Sequence, residues 1–288
     1  MNSFYGVLGT TGCRFYDPKL ASSITRRGHE ILQKTRDLIE EKGYPTIYGD
    51  TDSVFVHMAA DSTRVMEAAA DLACYLNKWW RNELTTRYGI SSFLELEFET
   101  HFTQFFMPTV RGSEKGSKKR YAGLVDDGAG GRQLVFKGLE SVRSDWTPLA
   151  REFQQQLYYK VFHGEPVERF VRDMVQGVLE GAMNDKLTLR RRLRRKLSDY
   201  KKNVPPHVRA ARLADQERRK RGLKPSYENG GWIEYRMTVN GPEPILYSAS
   251  PIDYNFYIDR QLAPIADAIL SFRQTSLAEL TDKQLDLF

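Results

Sequence analysis

Apolar residues recur at helical spacing from Pro18 to Lys42, with Leu20, Ile24, Ile31 and Leu38 on one face, which predicts an amphipathic helix. Asp17 offers an N-cap, Pro18 a first helical residue and Gly43 a C-terminal cap. The run Ile47-Tyr48-Gly49-Asp50-Thr51-Asp52-Ser53-Val54-Phe55-Val56 sets a polar turn between two apolar arms and predicts a β-hairpin. A second helix is predicted from Ser62 to Tyr88, with Val65, Ala69, Leu72, Leu76 and Trp79 or Trp80 on one face and Gly89 beyond its end. Leu94-Glu95-Leu96-Glu97-Phe98-Glu99 alternates apolar with acidic residues, the period of a half-buried strand. Further strands are expected near 102–107, 119–125 and 133–138.

After Trp146 the pattern turns mainly helical, with core-facing helices expected over 148–163 and 166–181. In the basic segment 186–202, Leu189, Leu193 and Leu197 fall on one helical stripe, which predicts a helix with its arginines outward. Pro205-Pro206 interrupts the chain before another helix to Arg221. A hairpin over 232–247 turns at Asn240-Gly241, and a final helix runs from Asp253 to Arg273. Helices and strands are mixed without regular alternation, so the expected class is α+β. An antiparallel sheet with helices on one face is expected up to residue 142, then a mainly helical part over 143–274 and a tail over 275–288.

Composition changes this picture little. A chain of 288 residues with 41% hydrophobic and 12% aromatic residues buries a real core. The net charge of +6 favours a polyanionic partner. Cys13 and Cys74 stand far apart without metal-type spacing, which fits a reducing compartment. No apolar run approaches the ~20 residues of a membrane span, and the start does not resemble a signal peptide. A soluble cytoplasmic protein without a membrane partner is therefore expected.

The sharpest chemistry lies at Asp50 and Asp52. Two carboxylates one residue apart in a tight turn point toward one small volume, and bringing two anions together is costly unless a cation neutralises them. Mg²⁺ suits that role, since it takes hard oxygen ligands, often one or two carboxylates plus substrate phosphates. Two such ions support an in-line phosphoryl displacement. Asp-x-Asp alone is weak, because solvated turns use aspartate freely; the apolar arms on both sides strengthen it. Gly6, Gly9 and Gly12 form a glycine-rich stretch with no Lys-Ser/Thr after it, so it is not a phosphate loop.

Tyr48-Gly49-Asp50-Thr51-Asp52-Ser53 resembles the YGDTDS signature of the family-B DNA polymerases. Asn2-Ser3-Phe4-Tyr5-Gly6 resembles the end of that family's KxxxNSxYG segment. Lys118-Lys119-Arg120-Tyr121 matches its KKRY element, and Lys137-Gly138-Leu139-Glu140 with Val142-Arg143 its KGxExVR element. Asp253, Tyr257, Gln261, Leu262 and Pro264 fit the closing helix. The order and spacing hold across nearly the whole chain, and the details resemble the family's bacterial polymerase II branch.

The resemblance implies the second half of a catalytic palm with the end of the fingers over 1–142, a thumb over 143–274 and a tail. Asp52 becomes a direct ligand of two catalytic Mg²⁺ ions, with Asp50 beside it. Glu97 and Glu99 align with outer palm carboxylates; solvent-facing strand carboxylates are the equal alternative. Asn2, Tyr5, Gly6 and Thr51 would lie along the incoming dNTP and nascent base pair. Lys118, Lys119, Arg120, Tyr121, Lys137 and Arg143 would follow the primer–template duplex, joined by Arg190, Arg191, Arg194 and Arg195. Cations there meet phosphates and minor-groove acceptors that every base pair offers. Gln284, Leu285, Leu287 and Phe288 resemble the bacterial β sliding clamp-binding pentapeptide QLxLF.

The family pattern also asks for a lysine four positions before Asn2, most of the fingers, the first half of the palm and a further metal-binding aspartate. The expectation is therefore a fragment with an incomplete two-metal site, inactive without an N-terminal portion and nucleoid-associated as part of its polymerase. A non-catalytic DNA- and clamp-binding module is the second reading, but it leaves Asp50 and Asp52 without a role. A structural protein built on the helical half leaves the strand motifs unexplained.

Overall fold

The computed structural model describes residues 2–58, 62–108, 119–128 and 130–281, and they divide into two compact units at 103/104. The first unit holds helices α1 (Asn2–Leu8) and α2 (Pro18–Glu41), strands β1 (Thr46–Asp50) and β2 (Ser53–Val56), and helix α3 (Ser62–Tyr88). The Asp17 carboxylate accepts the N–H groups of Lys19 and Leu20 and caps α2. Gly43 and Gly89, just past α2 and α3, take the left-handed backbone that ends a helix.

The core of this unit is Leu38 and Ile39 of α2 against Leu72 and Leu76 of α3. Val65, Ala69 and Trp80 extend the buried face of α3, and Trp80 donates Nε1–H to Thr35 Oγ1 at 2.9 Å. The predicted α3 stripe is thus the buried one. On α2 only its C-terminal part holds, because Leu20 and Ile24 are exposed.

The alternating segment 94–99 forms no strand ladder, which corrects the expectation of a strand there. Leu94 and Leu96 are half-buried while Glu95 and Glu97 are exposed, so the period-2 pattern holds over 94–97 and lapses at Phe98, which is exposed. The Leu96 backbone is satisfied instead by one side chain: Asn77 of α3 donates to its carbonyl and accepts its N–H, both at 2.8 Å.

The second unit opens with an antiparallel sheet of β3 (Gln104–Phe106), β4 (Tyr121–Asp126) and β5 (Arg132–Lys137), in that spatial order. Helices α4 (Pro148–Phe162) and α5 (Glu168–Leu179) follow. Then come strand β6 (Leu189–Leu193), helix α6 (Pro206–Lys220), and strands β7 (Gly231–Thr238) and β8 (Gly241–Pro244). Short helices α7 (Tyr254–Tyr257), α8 (Ala263–Leu270) and α9 (Leu277–Thr281) end the described chain. One continuous core joins Leu124, Leu139, Phe153, Val171, Ile233, Leu262 and Ile265. The class is mixed α+β with small antiparallel sheets, as expected.

Two elements differ from the sequence reading. The basic run at 189–193 is a strand, antiparallel to β7, and not a helix. A leucine every four residues fits both one helical turn and twice the strand repeat, so its spacing does not separate the two. The final helix is also interrupted: Ile258–Leu262 widens into a π-turn between α7 and α8. Pro264 offers no N–H to the Arg260 carbonyl and its ring crowds that position, which breaks the regular ladder.

Candidate functional site

Strands β1 and β2 pair through Asp50 and Ser53, leaving Thr51 and Asp52 as the tip of the hairpin. Thr51 sits at φ 43°, unusual for a β-branched residue, and the Asp52 N–H folds back onto the Asp50 carbonyl. This turn brings the Asp50 and Asp52 backbones together within three residues. The Thr51 hydroxyl donates to Asp50 Oδ1 at 3.0 Å, and Ser53 Oγ donates to Asp52 Oδ1 at 3.4 Å. Asp52 is exposed and Asp50 half-buried. Aromatic contacts stiffen the arms: Tyr48 and Phe55 lie 5.7 Å apart, and Phe102 stacks on Phe55 at 6.3 Å.

Glu97 and Glu99 are exposed in the irregular stretch between Leu96, held by Asn77, and Phe102, held by Phe55. Among the described residues, no group of three or more His, Cys, Asp or Glu side chains is arranged to hold a metal ion. The Asp50 and Asp52 carboxylates are the right donor chemistry for Mg²⁺, and they supply part of a donor set rather than a closed cage.

Tyr5 and Gly6 lie on α1, with the Tyr5 hydroxyl 3.0 Å from Thr25 Oγ1 of α2. A side chain at Gly6 would meet nothing within 4 Å, so packing does not require glycine there. Tyr5, Tyr16, Thr25, Arg26 and His29 border an open cleft of about 510 Å³. The helical pattern of α2 gave no sign that Arg26 and His29 share a cleft with Tyr5.

In the second unit, the KKRY and KGxExVR segments interlock. Lys119 (φ 63°) and Gly138 (φ 62°) both take the left-handed backbone. A Cβ on Gly138 would fall on the Lys119 carbonyl oxygen, at 2.0 Å, so the close approach demands glycine. Arg120 donates Nη2–H to the buried Glu140, whose other carboxylate oxygen accepts Gln154 Nε2–H at 2.7 Å. Gln154 in turn accepts the Ser141 N–H at 2.6 Å. The Arg120 guanidinium therefore ties one motif to the other. Burial and the Glu140 charge push the neighbouring Tyr158 phenol well above its ordinary range. Tyr121 and Lys137 face each other across β4 and β5.

Arg143 makes a two-pronged contact with Asp145, Nε to Oδ1 at 3.0 Å and Nη2 to Oδ2 at 2.8 Å. Arg191 of β6 reaches the same Oδ2 with Nη2 at 2.9 Å. Hydrogen bonding from Arg143 and the two guanidinium charges hold the Asp145 carboxyl below its ordinary pKa, against its partial burial. Arg190 lies over the Trp232 ring at 4.8 Å, and Arg194 and Arg195 are exposed just beyond β6. Trp232, Arg192, Arg194 and Asn229 border a second cleft of about 510 Å³. Sequence reading missed Asp145 and Trp232; the spacing of Asp145 two residues after Arg143 was the available signal for the first.

Asp253 caps α7, accepting the Phe256 N–H at 3.0 Å. The Tyr257 hydroxyl accepts the Met237 N–H at 2.8 Å, and Gln261 Oε1 accepts Thr147 N–H and Oγ1–H at 3.2 and 3.1 Å. Tyr257, Gln261 and Leu262 are buried, so these closing positions hold the second unit's core. The expected contacts of Asn2, whose side chain is not described, of Lys118, and of Gln284, Leu285, Leu287 and Phe288 lie outside the described residues.

The sequence pattern of DNA polymerase family B matches residues 1–272, and the chain belongs to that family. It is 53% identical over 293 residues to DNA polymerase II of Escherichia coli strain K12, covering all of this chain and 37% of that protein. It is 30% identical over 306 residues to a DNA polymerase of Thermococcus kodakarensis, covering 99% of this chain and 16% of the relative. A DNA polymerase of Thermococcus sp. strain 9oN-7 is 29% identical over 306 residues, 99% of this chain and 36% of its own length. The chain thus spans well under half the length of these relatives. Family-B DNA polymerases are divalent-metal dependent. No described helix is long and apolar enough to cross a membrane.

Proposed function

We propose that this chain supplies the C-terminal palm, over 1–142, and the thumb, over 143–274, of a DNA-directed DNA polymerase, which transfers a nucleotide from a dNTP to a primer 3′-OH. The observation that carries the reading is the Asp50-Thr51-Asp52 hairpin tip within a family-B chain. A left-handed backbone at Thr51 holds two carboxylates on one short turn, an arrangement with a cost that a purely structural turn avoids by using glycine. Bound Mg²⁺ supplies activation of the 3′-hydroxyl and neutralisation of the leaving pyrophosphate. Asp52 is the direct ligand, being the more exposed, and Asp50 supports it. Glu97 and Glu99 serve as outer carboxylates, and the remaining donors come from the longer polymerase, so the site in this chain is half of one.

Tyr5 and Gly6, with Asn2, face the nascent base pair. An open-sided glycine leaves room for a substrate edge to approach the backbone. Lys118, Lys119, Tyr121 and Lys137 follow the duplex, while Arg120 anchors their loop to Glu140. Arg190, Arg191, Arg194 and Arg195 contact phosphates from the thumb, and the terminal Gln284, Leu285, Leu287 and Phe288 dock on the sliding clamp. In a complete polymerase, Asp52→Ala should cut nucleotide incorporation by about three orders of magnitude or more with DNA affinity retained. A variant that incorporates normally would refute the assignment.

The alternative, a DNA- and clamp-binding module without catalysis, keeps the basic motifs and the tail but leaves Asp50 and Asp52 without a role. In that module Asp52→Ala would leave clamp binding unchanged and no incorporation to lose.

A further inference from the structure

We propose that Asp145 is a positioning residue that fixes Arg143 and Arg191 at one spacing, so that the pair grips a single backbone phosphate of bound DNA. The inference rests on the reading of this region as a DNA-binding surface.

The geometry is specific. Asp145 Oδ2 accepts a hydrogen bond from Arg143 at 2.8 Å and forms an ion pair with Arg191 at 2.9 Å, while Oδ1 takes the second prong of Arg143 at 3.0 Å. The arginines reach this point from different elements, one in the loop before α4 and one in the middle of β6, where Arg191 pairs with Ile233 of β7. The Asp145 side chain is only 17% exposed, whereas Arg143 and Arg191 are 50% and 45% exposed. The carboxylate therefore sits beneath two guanidinium groups that present their remaining donors to solvent.

Each guanidinium carries five N–H donors. Asp145 takes two of those on Arg143 as hydrogen bonds and holds Arg191 as an ion pair, so several donors stay available in a fork that suits a phosphate. Two cations this close would swing apart without the carboxylate between them. The trio keeps a net charge of +1, counting Arg143, Arg191 and Asp145, and a phosphodiester neutralises it. Burial and the Arg191 charge lower the pKa of the neighbouring His207.

A different role, in which Asp145 only offsets excess positive charge, gives the opposite sign on mutation. The experiment is fluorescence-anisotropy titration of primer–template DNA with the full chain at several salt concentrations, each variant being checked for folding by circular dichroism. Asp145→Asn adds one positive charge, yet the proposal expects binding roughly fivefold weaker and a salt dependence shallower by about one phosphate contact. Asp145→Asn placed on Arg191→Gln should add no further loss. Asp145→Glu keeps the charge and moves the oxygens; it should also weaken binding, and it serves as the second arm if Asp145→Asn unfolds. Tighter or unchanged binding by Asp145→Asn or Asp145→Glu, with Arg143→Gln and Arg191→Gln each weakened, would overturn the positioning role alone. Unchanged binding in both arginine variants would overturn the DNA-binding reading beneath it.

Discussion

Gly138 shows how much a single residue fixes here. Its Cα lies against the Lys119 carbonyl, and a methyl group would sit 2.0 Å from that oxygen at a φ of 62°. Both the clash and the left-handed backbone oppose any side chain, so Gly138→Ala should destabilise the chain by about 3 kcal/mol or more. Urea unfolding measures this, and a loss under 1 kcal/mol would mean that the two loops do not interlock as described. Tyr257 gives a residue-level test in pH. Burial raises its phenol to about 12 from an ordinary 10.0. The folded chain therefore keeps a proton that the unfolded chain releases, so this contribution is full below pH 10 and declines as pH rises toward 12. Thermal melts across that window should fall steeply for the parent chain and less steeply for Tyr257→Phe, which also forfeits the bond from Met237. The Asp50-Thr51-Asp52 tip was legible in the sequence because a polar turn between apolar arms has few other readings. Asp145 was not, since its meaning depends on Arg191, brought to it only by the fold.

At the level of elements, the helices α2 and α3, the hairpin and the paired strands β4 and β5 follow from periodicity and caps. The misreadings have one physical root: a local period does not say what satisfies the backbone. Leu94–Glu99 has a strand's alternation, yet Asn77 takes the role of the neighbouring strand at Leu96. Leu189 and Leu193 fit a helix equally well, and the presence of β7 decides for a strand. Asn77→Ala should therefore free the Leu96 amide and carbonyl together. Hydrogen exchange at Leu96 should then approach the rate of an unprotected amide, while α3 stays protected. Retained protection at Leu96 would show that something other than Asn77 holds the segment. Similarly, the closing motif marked in the sequence by Tyr257 and Gln261 proves to be a tether from α7 and the π-turn to β7 and the start of α4, which no local pattern foretells.

For the whole molecule, family membership rests on a match over residues 1–272, and the roles proposed above for the carboxylates, the basic motifs and the tail are those of parts of a larger polymerase. The chain spans 37% of its Escherichia coli relative, and among the described residues Asp50 and Asp52 recruit no third ligand. We propose that these carboxylates are half of a nucleotidyl-transfer site. The most direct test is primer extension with Mg²⁺ and all four dNTPs, using the chain alone and mixed with the separately produced N-terminal remainder of a family-B polymerase. Neither part alone should extend the primer, the mixture should, and extension should be lost when the mixture carries Asp52→Ala. Extension by the chain alone, or a mixture that extends equally well with Asp52→Ala, would contradict it.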